Sequence, residues 1–141
     1  MTDPVQVPDL AAFAGVWQLT RRIDDSLGQP GRFIGIARFD PVSQGLAYSE
    51  QGLLQLGDAP AFKAERRNVW AADGQGITVA FADGRPFHRF DPSQSPAKAH
   101  HDCAPDLYLV SYDFGHWPLW QVEWRVTGPR KDYRMVSDYR R

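Results

Sequence analysis

Turn-forming residues recur along this chain at short, regular intervals, and they leave no room for a long helix. They include Gly28 to Gly31, Asp40-Pro41, Gly57-Asp58, Asp73-Gly74, Asp83-Gly84, Asp91-Pro92, Pro105-Asp106, Gly115 to Pro118 and Gly128-Pro129. Short segments between such signals are the mark of an antiparallel barrel or sandwich. The Asp-Gly dipeptides are the strongest local hairpin signals among them.

Within the segments, apolar and polar residues alternate. Trp17, Leu19 and Ile23 alternate with Gln18, Thr20, Arg22 and Asp24, and Trp120, Val122, Trp124 and Val126 alternate with Gln121, Glu123, Arg125 and Thr127. A period of two puts one face of each strand on a core. Further strands are expected from Arg32 to Phe39, Leu46 to Leu54, Phe62 to Trp70 and Ile77 to Phe81. Others follow from Pro86 to Phe90, Lys98 to Cys103, Leu107 to Phe114 and Asp132 to Arg140. The helical candidate is a single turn within Pro8 to Ala14, capped by Asp9. About ten strands do not stay in one flat open sheet, so closure or a sandwich is expected; of the two, a closed up-and-down antiparallel barrel is taken as the expected all-β fold. With 141 residues and no linker or repeat, residues 1–141 are expected to form one such domain.

Net charge is −1, so no global basic field draws nucleic acid, and no segment has the apolar length of a membrane span. Cys103 is the single cysteine, which rules out an intrachain disulfide and favours a reducing setting. Met1 to Leu10 holds Asp3 and Asp9 and no long apolar run, unlike a secretory signal. A cytoplasmic location is therefore expected. Oligomeric state is left open.

The segment Phe13-Ala14-Gly15-Val16-Trp17 resembles the Gly-x-Trp motif that opens the first barrel strand in lipocalins and their calycin relatives. The resemblance implies structural roles for Gly15 and Trp17, with the Trp closing one barrel end. It also implies an Arg from the end of the chain packed across that Trp, for which Arg134 and Arg140 are the candidates. The strand count resembles the intracellular branch, meaning fatty-acid-binding proteins and haem-binding nitrobindins. Three further segments are similar to motifs of an uncharacterised family of short bacterial proteins, domain of unknown function 6314. They are Asp83-Gly84-Arg85-Pro86-Phe87-His88, His101-x-Cys103-x-x-Asp106-x-Tyr108, and Gly128-Pro129-Arg130-Lys131-Asp132-Tyr133. That similarity implies a cytosolic bacterial protein and assigns no chemistry.

His88, His100, His101, Cys103 and Asp106 are the residues with ligand or nucleophile chemistry, but their spacing matches no common zinc signature. No metal and no cofactor is assigned. His101 and Cys103 share one strand face, where a lone cysteine is expected to be an inert core residue. A haem would need an axial His on an apolar cavity wall, for which His88 and His101 are the candidates. A barrel of this size encloses one small ligand, held by an aromatic lining and a few polar groups. Aromatic residues make up 13% of the chain, enough to supply that lining. The expected function is binding of a small, partly apolar, anionic molecule, with Arg66, His88, His101, Tyr108, Tyr112, Trp124 and Arg125 as candidate ligand-binding residues. Arg66 or Arg125 would take a carboxylate bidentately. Arg125 lies opposite the Trp120–Val122–Trp124 face, so its direction depends on which face is interior. Two alternatives share the scaffold. One is an enzyme using His88, His101, Asp106 and Tyr108. The other is an interaction module built on the Trp117 turn and the Arg130-Lys131 turn.

Overall fold

The computed structural model describes residues 7–141. The expectation drawn from Met1 to Leu10 therefore falls largely outside the described residues. A 3-10 turn, Leu10–Phe13, is capped by the Asp9 carboxylate, which accepts from the Ala12 amide. Ten strands follow: β1 Gly15–Asp25, β2 Gly31–Val42, β3 Gly45–Leu56, β4 Phe62–Asp73, β5 Gly76–Phe81, β6 Pro86–Phe90, β7 Ala97–Cys103, β8 Asp106–His116, β9 Leu119–Thr127 and β10 Asp132–Arg140. Apart from β6 and β7, strands adjacent in sequence pair antiparallel, and β1 also pairs with β10. The sheet runs β6-β5-β4-β3-β2-β1-β10-β9-β8-β7.

The barrel is nearly closed. Among the described residues no backbone ladder joins the two outer strands, β6 and β7. Side chains bridge the seam instead: Phe90 of β6 stacks on Tyr112 of β8, with ring centroids 3.9 Å apart. Gly35 of β2 faces Gly52 of β3, and a Cβ at either position would lie 2.2 Å from a backbone oxygen. No larger residue fits that approach. No helix of the described residues is long and apolar enough to cross a membrane.

The turn expected at Asp40-Pro41 falls three residues later, at Ser43-Gln44. Strand β1 pairs with β2 only as far as Phe39, so beyond it β2 is an edge. Pro41 then has no ladder bond to lose.

One end of the barrel is shut. Trp17 is 0% exposed, and its indole Nε1 donates to the Phe13 carbonyl at 2.9 Å. Phe13 packs against Phe39, Trp70, Phe114, Trp117 and Trp120. The Arg across Trp17 is neither Arg134 nor Arg140 but Arg141, whose guanidinium sits 4.0 Å from the ring centroid. It also donates to the carbonyls of Ala12 and Ala14, at 2.9 Å each. Strand period explains the correction. Tyr139 and Ser137 of β10 point inward, so Arg134 and Arg140 point out, where they bond Glu123 and Gln18. Arg141 continues the inward phase just past the strand. The Trp117 turn belongs to this plug: Trp117 is half-buried on Phe13 and Trp17, not displayed as a contact surface.

The packing predicts that Trp17→Ala costs about 3–5 kcal/mol in urea denaturation. Arg141→Ala is expected to cost about 1–2 kcal/mol, through one cation–π contact and two carbonyl bonds. Arg140→Ala should stay within about 0.5 kcal/mol of the parent. Equal losses for Arg140 and Arg141 would contradict the assignment.

Candidate functional site

Away from the plug, the barrel interior is polar at its centre. Arg21 of β1 shares the inward phase of Trp17 and Leu19, and Glu50 of β3 shares that of Leu46 and Tyr48. Their side chains are 8% and 3% exposed. The Arg21 guanidinium donates to both Glu50 carboxylate oxygens, at 2.7 and 3.0 Å, and its Nε donates to Ser137 Oγ at 2.7 Å. Tyr48 Oη donates to the same carboxylate and lies 2.8 Å from Tyr139 Oη. Burial opposes the charge on each partner. The pairing outweighs it, so the Glu50 carboxyl sits below its ordinary range and the Arg21 guanidinium above its own. Burial raises the phenols of Tyr48 and Tyr139, which stay neutral donors.

Arg66 of β4 approaches the same carboxylate from the open end. Its Nε lies 3.9 Å from Glu50 Oε1, while its side chain keeps 42% exposure. Arg21 already neutralises Glu50, so the charge of Arg66 is largely uncompensated and faces an opening. That opening is a cavity of about 310 Å³ lined by Phe81, Phe87, Trp124 and Met135, with Arg66, Asn68, His101, Cys103, Tyr108 and Tyr133 at its polar margins. Phe87 stacks on Trp124 at 5.1 Å, and His101 meets the edge of Phe87 at the same distance. The volume is at the lower end for small-molecule sites, and a mostly apolar wall with a few polar groups is their usual composition.

A smaller chamber of about 40 Å³ lies deeper, bounded by Arg66, Glu50, His88, Tyr112 and their neighbours. His88 Nε2 is 2.6 Å from Tyr112 Oη, and its Nδ1 is buried without a hydrogen-bond partner. Burial, with help from His101, depresses the His88 pKa to about 3. The imidazole is therefore neutral at ordinary pH. The space beside it holds a water-sized group or two, far less than a macrocycle.

Of the residues singled out in the sequence, Arg66, His101, Tyr108 and Trp124 meet around the larger cavity, while His88 and Tyr112 line the deeper chamber. Arg125 does not belong with them. Trp120, Val122, Trp124 and Val126 are the buried face of β9, so Arg125 turns outward to Asp132 and the Tyr133 carbonyl. Cys103 is exposed at the rim, not an inert core residue, because β7 ends there beyond the packed interior. Lys131 of the basic turn is engaged by Tyr108 at 2.9 Å and Asp106 at 3.1 Å. Among the described residues no three His, Cys, Asp or Glu side chains converge as metal ligands. The buried Arg21–Glu50 pair is absent from the sequence expectations; its one signal is a charged residue standing in the apolar phase of each strand.

Comparison with known proteins places the chain among relatives. The model of a family of unknown function, DUF6314, matches residues 13–141, and the chain belongs to that family. No curated protein sequence matches it. Among solved structures, the S-type phycobiliprotein lyase CPES from Guillardia theta is similar with a TM-score of 0.63 and 11% identity, over 92% of this chain and 87% of that one. A protein of unknown function of the DUF3598 family from Nostoc punctiforme is similar with a TM-score of 0.55 and 9% identity, over 94% of this chain and 48% of that one. At such identities the likeness is one of fold.

Glu50→Gln leaves Arg21 buried and uncompensated, so urea denaturation should register a loss of about 3–5 kcal/mol. The paired replacement Arg21→Met with Glu50→Leu should cost much less. His88 is neutral in the folded protein but protonates near its ordinary value of 6.5 when unfolded. Below that value the unfolded chain binds the extra proton. Stability should therefore fall by about 1.4 kcal/mol per pH unit, from about pH 6.5 toward the folded pKa of about 3. His88→Phe should flatten that part of the profile. An unchanged slope would show that His88 is protonated inside the barrel.

Proposed function

We propose that this barrel binds a small, partly apolar, anionic molecule through its open end. The apolar body lies between Phe81, Phe87, Trp124 and Met135, and the anion rests at Arg66. The observation that carries this proposal is the imbalance of charge beside the cavity: two guanidiniums stand near one carboxylate, and the outer one is accessible. A half-exposed Arg at the head of an apolar cavity suits a carboxylate, which it can take bidentately. His101 and Tyr108 add hydrogen-bonding groups at the margin.

Binding accounts for these groups better than catalysis does. His88 is held by Tyr112, and Tyr108 is held by Lys131. His101 and Cys103 stand in a row on one strand, with no hydrogen bond between them, so a nucleophile and its base are not assembled. A barrel of this fold is the scaffold of a phycobiliprotein lyase, which is compatible with ligand handling.

Titration with an anionic fluorescent fatty-acid probe should show saturable binding at one site. Arg66→Ala should weaken it about tenfold, the effect of losing roughly 1.4 kcal/mol. Arg125→Ala should leave it unchanged, since that side chain faces outward. A neutral analogue of the probe should bind more weakly to the parent and equally to both variants. Absence of saturable binding, or equal loss in the two Arg variants, would overturn the proposal.

A further inference from the structure

The outer wall of β1–β4 carries a second surface, on the reverse of the sheet from the cavity. Phe33, Ala37 and Phe39 of β2 face inward, which turns Ile34 and Ile36 to the outside. Leu53 of β3 is the direct cross-strand partner of Ile34. The three are 59%, 48% and 53% exposed, and they form one aliphatic patch. Cations frame it. Arg32 and Arg38 lie one outward position beyond Ile34 and Ile36 on β2, Lys63 is paired across from Leu53, and Arg22 is paired across from Arg32.

None of these four cations forms an ion pair among the described residues. Asp24, Asp40 and Glu65 also occupy outward positions on these strands and are not paired with them. Arg22 and Arg32 stand directly opposite each other, an arrangement of like charges that destabilises a strand pair. The isolated chain thus keeps a repulsion and an exposed aliphatic centre on the same wall.

We propose that this wall docks an acidic protein surface, with an apolar centre on the partner meeting Ile34, Ile36 and Leu53, and carboxylates meeting the cations. An apolar middle with a charged, hydrogen-bonding rim is the anatomy of a protein interface, and Arg is enriched there. Three of the four cations are Arg, whose planar fork matches carboxylates. The patch has no aromatic residue and lies on a strand wall instead of a protruding loop or helix. A lipid headgroup region is instead met by an amphipathic helix bearing Trp or Phe. This surface is independent of whatever the cavity holds.

The test uses the full chain with labelled Ile and Leu methyl groups and a synthetic amphipathic peptide of leucines and glutamates. Low-salt titration should shift the methyls of Ile34, Ile36 and Leu53, and high salt should weaken the effect. Arg22→Gln with Arg32→Gln should weaken peptide binding about tenfold. The same pair of changes should leave the melting temperature equal or higher, because it removes the like-charge contact. Ile34→Thr is a second variant that keeps a β-branched residue and should also reduce binding. Three results would overturn the proposal. One is the absence of shifts at the patch, and another is equal binding of a peptide with lysine in place of glutamate. The third is binding of phosphatidylserine vesicles through these methyls without binding of the acidic peptide.

Discussion

The bidentate pair between Arg21 and Glu50 decides what the inside of this barrel is. Two ions placed in a barrel interior need good geometry and further hydrogen bonds to be tolerated. Ser137, Tyr48 and Tyr139 supply those bonds from β10 and β3, so one ion pair ties β1 to strands on both of its sides. It also saturates Glu50. Arg66, arriving from β4, finds a carboxylate already neutralised and keeps its charge for the opening. Remove the pair, and both the polar chamber and the meaning of Arg66 change.

The two barrel ends follow from what surrounds that centre. On one side aromatic rings fill the space, with Phe13 inserted by the 3-10 turn and Trp17 sealed beneath Arg141. On the other side β4, β6, β7 and β8 reach the rim with Arg66, Phe87, His101 and Tyr108, and the rings there leave a cavity of about 310 Å³. The seam between β6 and β7 is held by side chains such as Phe90 and Tyr112 instead of a ladder.

Much of this was legible in the sequence because strand periodicity and turn chemistry are local. The alternation around Trp17 and Trp120 carried the architecture, and the Asp9 cap carried the N-terminal turn. The failures were failures of phase and of neighbourhood. The motif points to an Arg of the last strand, yet the inward phase of that strand, Ser137 and Tyr139, continues to Arg141 just beyond it. The direction of Arg125 is open in the sequence because a single strand does not say which of its faces is interior; the buried indoles of Trp120 and Trp124 do. Arg21 stands in phase with Trp17 and Leu19, and Glu50 in phase with Tyr48. Each was visible as an anomaly, but their meeting is a long-range contact that no local pattern encodes. Cys103 has the phase of a core residue and the position of a rim residue, because the end of a strand relative to the packed interior is a tertiary fact.

The central claim is that the open end, not the outer wall, receives the anionic amphiphile, with its apolar part inside. The most direct measurement is the set of intermolecular nuclear Overhauser effects between a bound fatty-acid probe and the protein. The account predicts contacts from the probe's tail to the Met135 methyl and the Trp124 ring. Contacts confined to surface methyls such as those of Ile34 and Leu53, with Met135 and Trp124 silent, would contradict it.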